Sequence, residues 1–149
     1  REVGRYEEAE PLLREAIKID KATIGEGHPS YAIRLNNLAG LLRAMGRYEE
    51  AEPLYREAIR IDKATIGEGH PEYAKHLNNL AALLRDMGRY EEAEPLYAQA
   101  LDIFKQALGP EHPNTKTAAA NRARFLRASF PDDPALRELE ATFGPDVGK

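Results

Sequence analysis

The chain has 149 residues, enough for one domain with a sizeable buried core. Apolar residues make up 42% and charged residues 31%, the balance of a globular chain, and the formal charge of −4 lacks the basic surplus that phosphate contacts demand, which argues against nucleic acid as a partner. Cysteine is absent, which excludes disulfides, thiolate metal sites and thiol catalysis, and no apolar run approaches the roughly 18 residues needed to span a bilayer, so no membrane partner is expected and a cytoplasmic setting is.

The first element, from Gly4, reads GRYEEAEPLLREAIKID and is a helix of the kind labelled B below. With its loop it recurs almost unchanged from Gly46 to Pro71, where Leu13 has become Tyr55 and Lys18 has become Arg60. A third copy starts at Gly88 with GRYEEAEPLYAQAL and then drifts, so the period is 42 residues. Ala51, Tyr55, Ala58 and Ile59 form its stripe, with small residues where two helices must approach closely. Glu49, Glu50 and Glu52 crowd its start, where carboxylates suit the positive end of the helix dipole. Pro11, Pro53 and Pro95 sit a few residues inside, so helix B either starts later than YEEAE or bends there.

Each copy closes on a loop, Gly25–Pro29, Gly67–Pro71 and Gly109–Pro113, whose final proline is expected at the first position of the next helix. His28, His70 and His112 precede those prolines. They lie too far apart to share a metal ion, and a turn or cap role is expected of them.

The second kind of helix, A, reads YAIRLNNLAGLLRAM from Tyr31 and YAKHLNNLAALLRDM from Tyr73. Leu35, Leu38, Ala39 and Leu42 fall at i, i+3, i+4 and i+7, an amphipathic pattern. Gly46, just past the helix end, is expected to take left-handed backbone and to form with Arg47 a tight turn into helix B. His76 is a lone histidine on helix A, expected to pack or to face solvent.

Near the C-terminus, Thr115–Phe130 aligns with helix A and Asn121 matches Asn79, but Arg122 replaces Leu80 and Phe130 replaces Gly88. No YEEAEPL follows. Asp133-Pro134 is expected to cap a short last helix, roughly 134–143, with Leu136, Leu139 and Phe143 covering the last hairpin. The expected organisation is a repeat array over 1–130, starting mid-repeat with about two full units, and a capping helix and tail over 131–149. The C-terminus reads as a natural end and the N-terminus as a cut through a repeat.

The spacing Leu35, Leu38, Ala39, Leu42, Gly46, Tyr48, Ala51, Tyr55, Ala58, repeated from Leu77 to Ala100, resembles the tetratricopeptide signature. The 42-residue unit, with LNNLA in helix A, YEEAEPLY in helix B and a G-x-x-HP loop, is similar to the kinesin light chain subfamily over residues 1 to about 127. Similar repeats occur in many bacterial signalling proteins. The resemblance implies an all-α fold, a right-handed superhelix (solenoid) of antiparallel helix-turn-helix hairpins whose A helices line a concave side. It also implies a protein–protein interaction role, with Tyr6, Tyr48 and Tyr90 as packing residues.

Residues opposite the apolar stripe would then face that groove: Ile33, Asn36, Gly40 and Arg43, then Lys75, Asn78, Ala82 and Arg85, then Thr117, Ala120, Arg124 and Arg127. Asn37, Asn79 and Asn121 stand beside them. Amides donate and accept, Gly40 and Ala82 leave room for a ligand backbone, and Arg43, Arg85 and Arg127 recur every 42 residues, so an extended acidic peptide is the expected ligand. Two bland readings stand beside this one: an asparagine of each pair can bridge neighbouring A helices, and the arginine column can be solvated or pair with glutamates of the next hairpin. No phosphate loop, histidine pair or Ser-His-Asp context is present and the EEAE clusters read as helix starts, so no enzyme, cofactor or metal is expected. A rival expectation is a homo-oligomer, because the first helix B lacks a helix A and leaves Leu12, Leu13, Ala16 and Ile17 as an unpaired stripe. Another is a sensor or adaptor region of a larger signalling protein or enzyme.

Overall fold

The computed structural model describes residues 2–149, and every regular element among them is a helix. In chain order these are α1 (Glu2–Thr23), α2 (Pro29–Ala44), α3 (Tyr48–Thr65), α4 (Pro71–Asp86), α5 (Tyr90–Leu108), α6 (Pro113–Ser129) and α7 (Pro134–Phe143). They form two compact units, residues 1–68 and 69–149, with the division in the loop after α3. α7 belongs to the second unit.

The A helices α2, α4 and α6 start alike. His28, His70 and His112 hold extended backbone, and the Nδ1 of each accepts a hydrogen bond from the backbone N–H of Ser30, Glu72 or Asn114 at 3.0 Å. The following proline stands at the first helical position, where it has no hydrogen bond to lose. Histidine thus does the work that serine, threonine or aspartate usually does at an N-cap. An accepting Nδ1 carries no proton, so the neutral ring holds it on Nε2.

The A helices stop on glycine. At the end of α2 the Arg47 N–H donates to the Leu42 carbonyl at 2.8 Å and the Gly46 N–H to Arg43 at 3.0 Å. This paired closure requires left-handed backbone, and Gly46 and Gly88 supply it with φ of +76° and +77°. Gly4, at the equivalent position, lies inside α1. The end of α6 departs from the pattern: Phe130 takes φ −139° and its N–H donates to the Leu126 carbonyl at 2.7 Å. Its ring packs edge-on against Phe125, centroids 5.9 Å apart, and Phe125 also meets Tyr97 at 4.9 Å and Tyr90 at 6.0 Å. An aromatic cluster there stands in place of a glycine turn.

The B helices start at YEEAE and not later, since α3 begins at Tyr48 and α5 at Tyr90 with Pro53 and Pro95 inside them. The prolines and the residues four before them, Glu49 and Glu91, are exposed, so the carbonyls that lose a partner are near water.

In the first unit α2 packs on α3 through a buried cluster of Tyr31, Ala32, Leu35, Ala58 and Ile61, with Leu54 and Ile17 packed against it. Ile17 therefore has a neighbour, which corrects the expected unpaired stripe of α1. Among the described residues of α1 the large apolar side chains Leu12 and Ile19 are exposed, while Leu13 and Ala16 are half-buried. Polar links fix the turn: Arg47 binds Glu10 of α1 and Glu50 of α3, each at 2.6 Å, and holds both carboxyls below the usual carboxylate range.

In the second unit α4 contributes Leu77, Leu80, Ala81 and Leu84, α5 contributes Ala93, Tyr97, Ala100 and Phe104, and α6 contributes Ala119, Ala123 and Leu126. Arg122, which breaks the apolar pattern of helix A, reaches Glu94 of α5 with an Nε–Oε1 distance of 2.9 Å. α7 is capped by Asp133, whose carboxylate accepts from the Ala135 N–H at 2.9 Å, and it covers α6 with buried Leu136 and Leu139 while Phe143 is half-buried.

Candidate functional site

In α4, Lys75, Asn78 and Asn79 fall at i, i+3 and i+4 and so share a face. Asn114, Thr117 and Ala118 do the same in α6. The two faces wall a recess of about 290 Å³ in the second unit, together with Phe104 of α5 and with Pro71 and Glu72 from the first turn of α4. The His-Pro start of each helix sets this register, because it fixes which residues follow the cap by one turn.

The recess mixes polar and apolar lining and is nearly neutral. Lys75 Nζ lies 3.8 Å from Glu72 Oε1, so its only ammonium already faces a carboxylate. His76 adds no charge: it is fully buried, and burial pushes its pKa down to about 4 against a weaker opposing pull from Glu72, whose Oε1 is 3.8 Å from Nε2. The carboxamide of Asn78 is the unusual group. Its Oδ1 is shielded from solvent and accepts no hydrogen bond from any described residue.

The other residues expected in a groove are distributed differently. Arg85 is outside the recess and donates to Asp86 Oδ1 at 3.1 Å. Asn121 accepts from the exposed Arg124 at 3.3 Å. Arg127 is engaged by its own chain: it pairs with Glu140 at 3.1 Å and donates to the carbonyls of Pro145 and Val147, which removes it from ligand contact while that tail is seated. In the first unit Asn36 is buried, Asn37 is exposed and Arg43 is half-buried. A Cβ on Gly40 would lie 3.6 Å from the Tyr55 hydroxyl, so this position faces its own hairpin, and the alanine at Ala82 would fit there.

Of the expected residues the structure thus brings together Lys75, Asn78, Asn79 and Thr117. Asn114 and Phe104 were missed. Asn114 stands three residues before Thr117 on the same face, a signal present in the spacing. Phe104 lies on a helix B and gave none. No group of three or more His, Cys, Asp or Glu side chains among the described residues could hold a metal ion, and no helix among them is long and apolar enough to cross a membrane.

Residues 1–64 and 66–142 match the sequence family described as tetratricopeptide repeat. The chain belongs to the tetratricopeptide repeat family. No curated protein sequence matches this tetratricopeptide array. Among solved structures it is similar to BtubC (BKLC) from P. vanneervenii, with a TM-score of 0.79 and 25% identity over 93% of this chain and 54% of that one. The array therefore spans about half the length of that protein. It is also similar to the nearly identical TPR-like repeats of a kinesin light chain candidate from Podosopora anserina, with a TM-score of 0.74 and 27% identity over 94% of this chain and 66% of that one. A singly substituted form of those Podosopora anserina repeats gives a TM-score of 0.75 and 27% identity over 93% of this chain and 67% of that one. The tetratricopeptide array is an all-α helical-repeat solenoid of the kinesin light chain-like kind. Tetratricopeptide arrays are in general protein–protein interaction modules and scaffolds.

Proposed function

We propose that the array binds an extended peptide segment of a protein partner in the recess between α4 and α6, and catalyses nothing itself. The convergence of Asn78 and Asn79 of α4 with Asn114 and Thr117 of α6 on one recess carries this reading, because carboxamides and a hydroxyl can pair with the N–H and carbonyl groups of a peptide main chain. Phe104 with Ala118 offers an apolar wall for one side chain. A preference for acidic peptides is part of the proposal. It should be small, since Lys75 and Arg85 already face Glu72 and Asp86, and salt should reduce it further. Affinity on the order of micromolar is expected, because a short site must order a flexible ligand.

The array has no tryptophan, so a tryptophan-bearing peptide reports binding by its own fluorescence. An acidic peptide and its charge-reversed counterpart should both saturate, the acidic one a few-fold tighter. Asn78→Ala should weaken both by about fivefold or more, and Lys75→Ala should erase the difference between them. Undiminished binding by Asn78→Ala, or no binding of either peptide, would remove the recess from consideration. The exposed Leu12 and Ile19 favour a second reading, self-association through α1.

A further inference from the structure

α7 keeps the place of a helix B, with Ala135 and Leu139 standing 84 residues after Ala51 and Tyr55, and after it the chain folds back onto α6. Gly144 turns the chain with φ +105°, and the N–H groups of Val147 and Lys149 donate to the carbonyls of Gly144 and Asp146 at 3.2 and 3.0 Å. The seat on α6 is made by helix backbone and one guanidinium. Arg127 donates to the carbonyls of both Pro145 and Val147. Gly148, at φ +77°, lies so close to the helix that a Cβ on it would meet the Ala120 carbonyl oxygen at 2.6 Å and the Arg124 nitrogen at 2.8 Å. Only glycine fits there. Side chains of the segment contribute little, since Pro145 and Asp146 are exposed and Val147 is half-buried.

Two departures from the α4 copy open this seat. Ala120 stands where α2 and α4 carry Asn36 and Asn78, so a turn of helix backbone that a carboxamide would cover is bare. Ala128 stands where α4 carries Asp86, the residue that accepts from Arg85 at 3.1 Å, so the Arg127 guanidinium is left to the segment. Beside the segment lies a recess of about 340 Å³ bordered by Lys116, Ala120, Phe143 and Val147 among others. A side chain larger than valine has room there.

We propose that this seat is a second peptide site, and that residues 144–148 are its resident occupant. The partner it fits is a protein segment that turns, presents two carbonyls to one guanidinium, and follows a bulky apolar residue with glycine. Such a segment displaces the resident because it fills the space beside Val147. The resident is tethered to α7 and competes at an effective concentration of about 1 mM, which keeps the site closed to weak ligands. The seat and the recess between α4 and α6 share no lining residue, so neither site depends on the other.

The test uses the full chain and the peptide Trp-Gly-Pro-Asp-Leu-Gly, which repeats residues 144–148 with leucine for Val147 and a leading tryptophan as reporter. Gly148→Val should eject the resident and bind this peptide about tenfold more tightly than wild type. Its helices should persist, since Gly148 lies outside all of them, while the amides of Val147 and Lys149 exchange faster with solvent. Adding Ala120→Asn, the residue that α4 itself carries, or Arg127→Gln should remove the gain. A peptide with valine in place of its last glycine should not bind. Equal affinity for wild type and Gly148→Val overturns the proposal, as does binding that survives Arg127→Gln or the loss of the peptide's glycine. A wild-type dimer that Gly148→Val converts to monomer would give the seat to a second copy and overturn it too.

Discussion

Replacing His28, His70 and His112 by alanine removes three N-caps without touching the core. Each imidazole accepts one neutral backbone N–H at 3.0 Å. His28 and His70 are exposed and His112 is half-buried, so water can take over part of the lost bond. The cost per site should therefore fall in the lower part of the range for caps, about 0.5–1 kcal/mol. The three sites lie a repeat apart and share no hydrogen-bond partner, so their effects should add to about 2 kcal/mol. Urea titrations followed by far-ultraviolet circular dichroism at neutral pH would measure this against wild type. An asparagine series at the same positions should recover most of the loss, because the carboxamide oxygen can accept the same N–H. A triple alanine variant within about 0.3 kcal/mol of wild type, or asparagine no better than alanine, would refute the capping role.

Two further outcomes follow from buried polar groups in the second unit. His76 is held neutral with its pKa lowered to about 4, so on acidification the unfolded chain takes up its proton first. Stability from this site is full above about pH 6.5 and declines as pH falls toward about 4, by at most about 3 kcal/mol; denaturation at stepped pH should show a flatter profile in His76→Leu. Arg122→Ala leaves Glu94, only 18% exposed, without its guanidinium and should cost about 2 kcal/mol in the same assay. Adding Glu94→Gln should return part of that loss, and an unchanged midpoint in Arg122→Ala would show the pair to be idle.

The helices were legible because each carries its own start, stop and period. His-Pro opens α2, α4 and α6, glycine closes α2 and α4, and the leucine spacing points one face inward. The candidate site was legible only in part, for reasons that lie in individual residues. Periodicity says which way a side chain points but not what meets it, so Arg43, Arg85 and Arg127 look alike in sequence while Arg127 is claimed by the tail and Arg85 by its neighbour Asp86. Asn36 and Asn78 occupy the same place in successive copies, yet one is buried and the other borders the recess. Arg122 reads as a break in the apolar stripe until Glu94 is seen opposite it, 28 residues away in sequence. α7 shares no motif with helix B, and only the spacing of Ala135 and Leu139 shows that it is one.

In each unit the main packing joins helices that are consecutive in the chain, and each copy carries a histidine–proline start for one helix and a glycine stop for another. A 42-residue segment is therefore a self-contained part, with both its joints included. At the level of the gene, such a part can be duplicated or lost in frame without leaving a helix uncapped or a turn without its glycine, and each added copy contributes its own stability and one more interface. Point changes have no such freedom, because altering one joint disturbs the two helices on either side of it. An array built this way should vary in length more readily than in the residues of its joints.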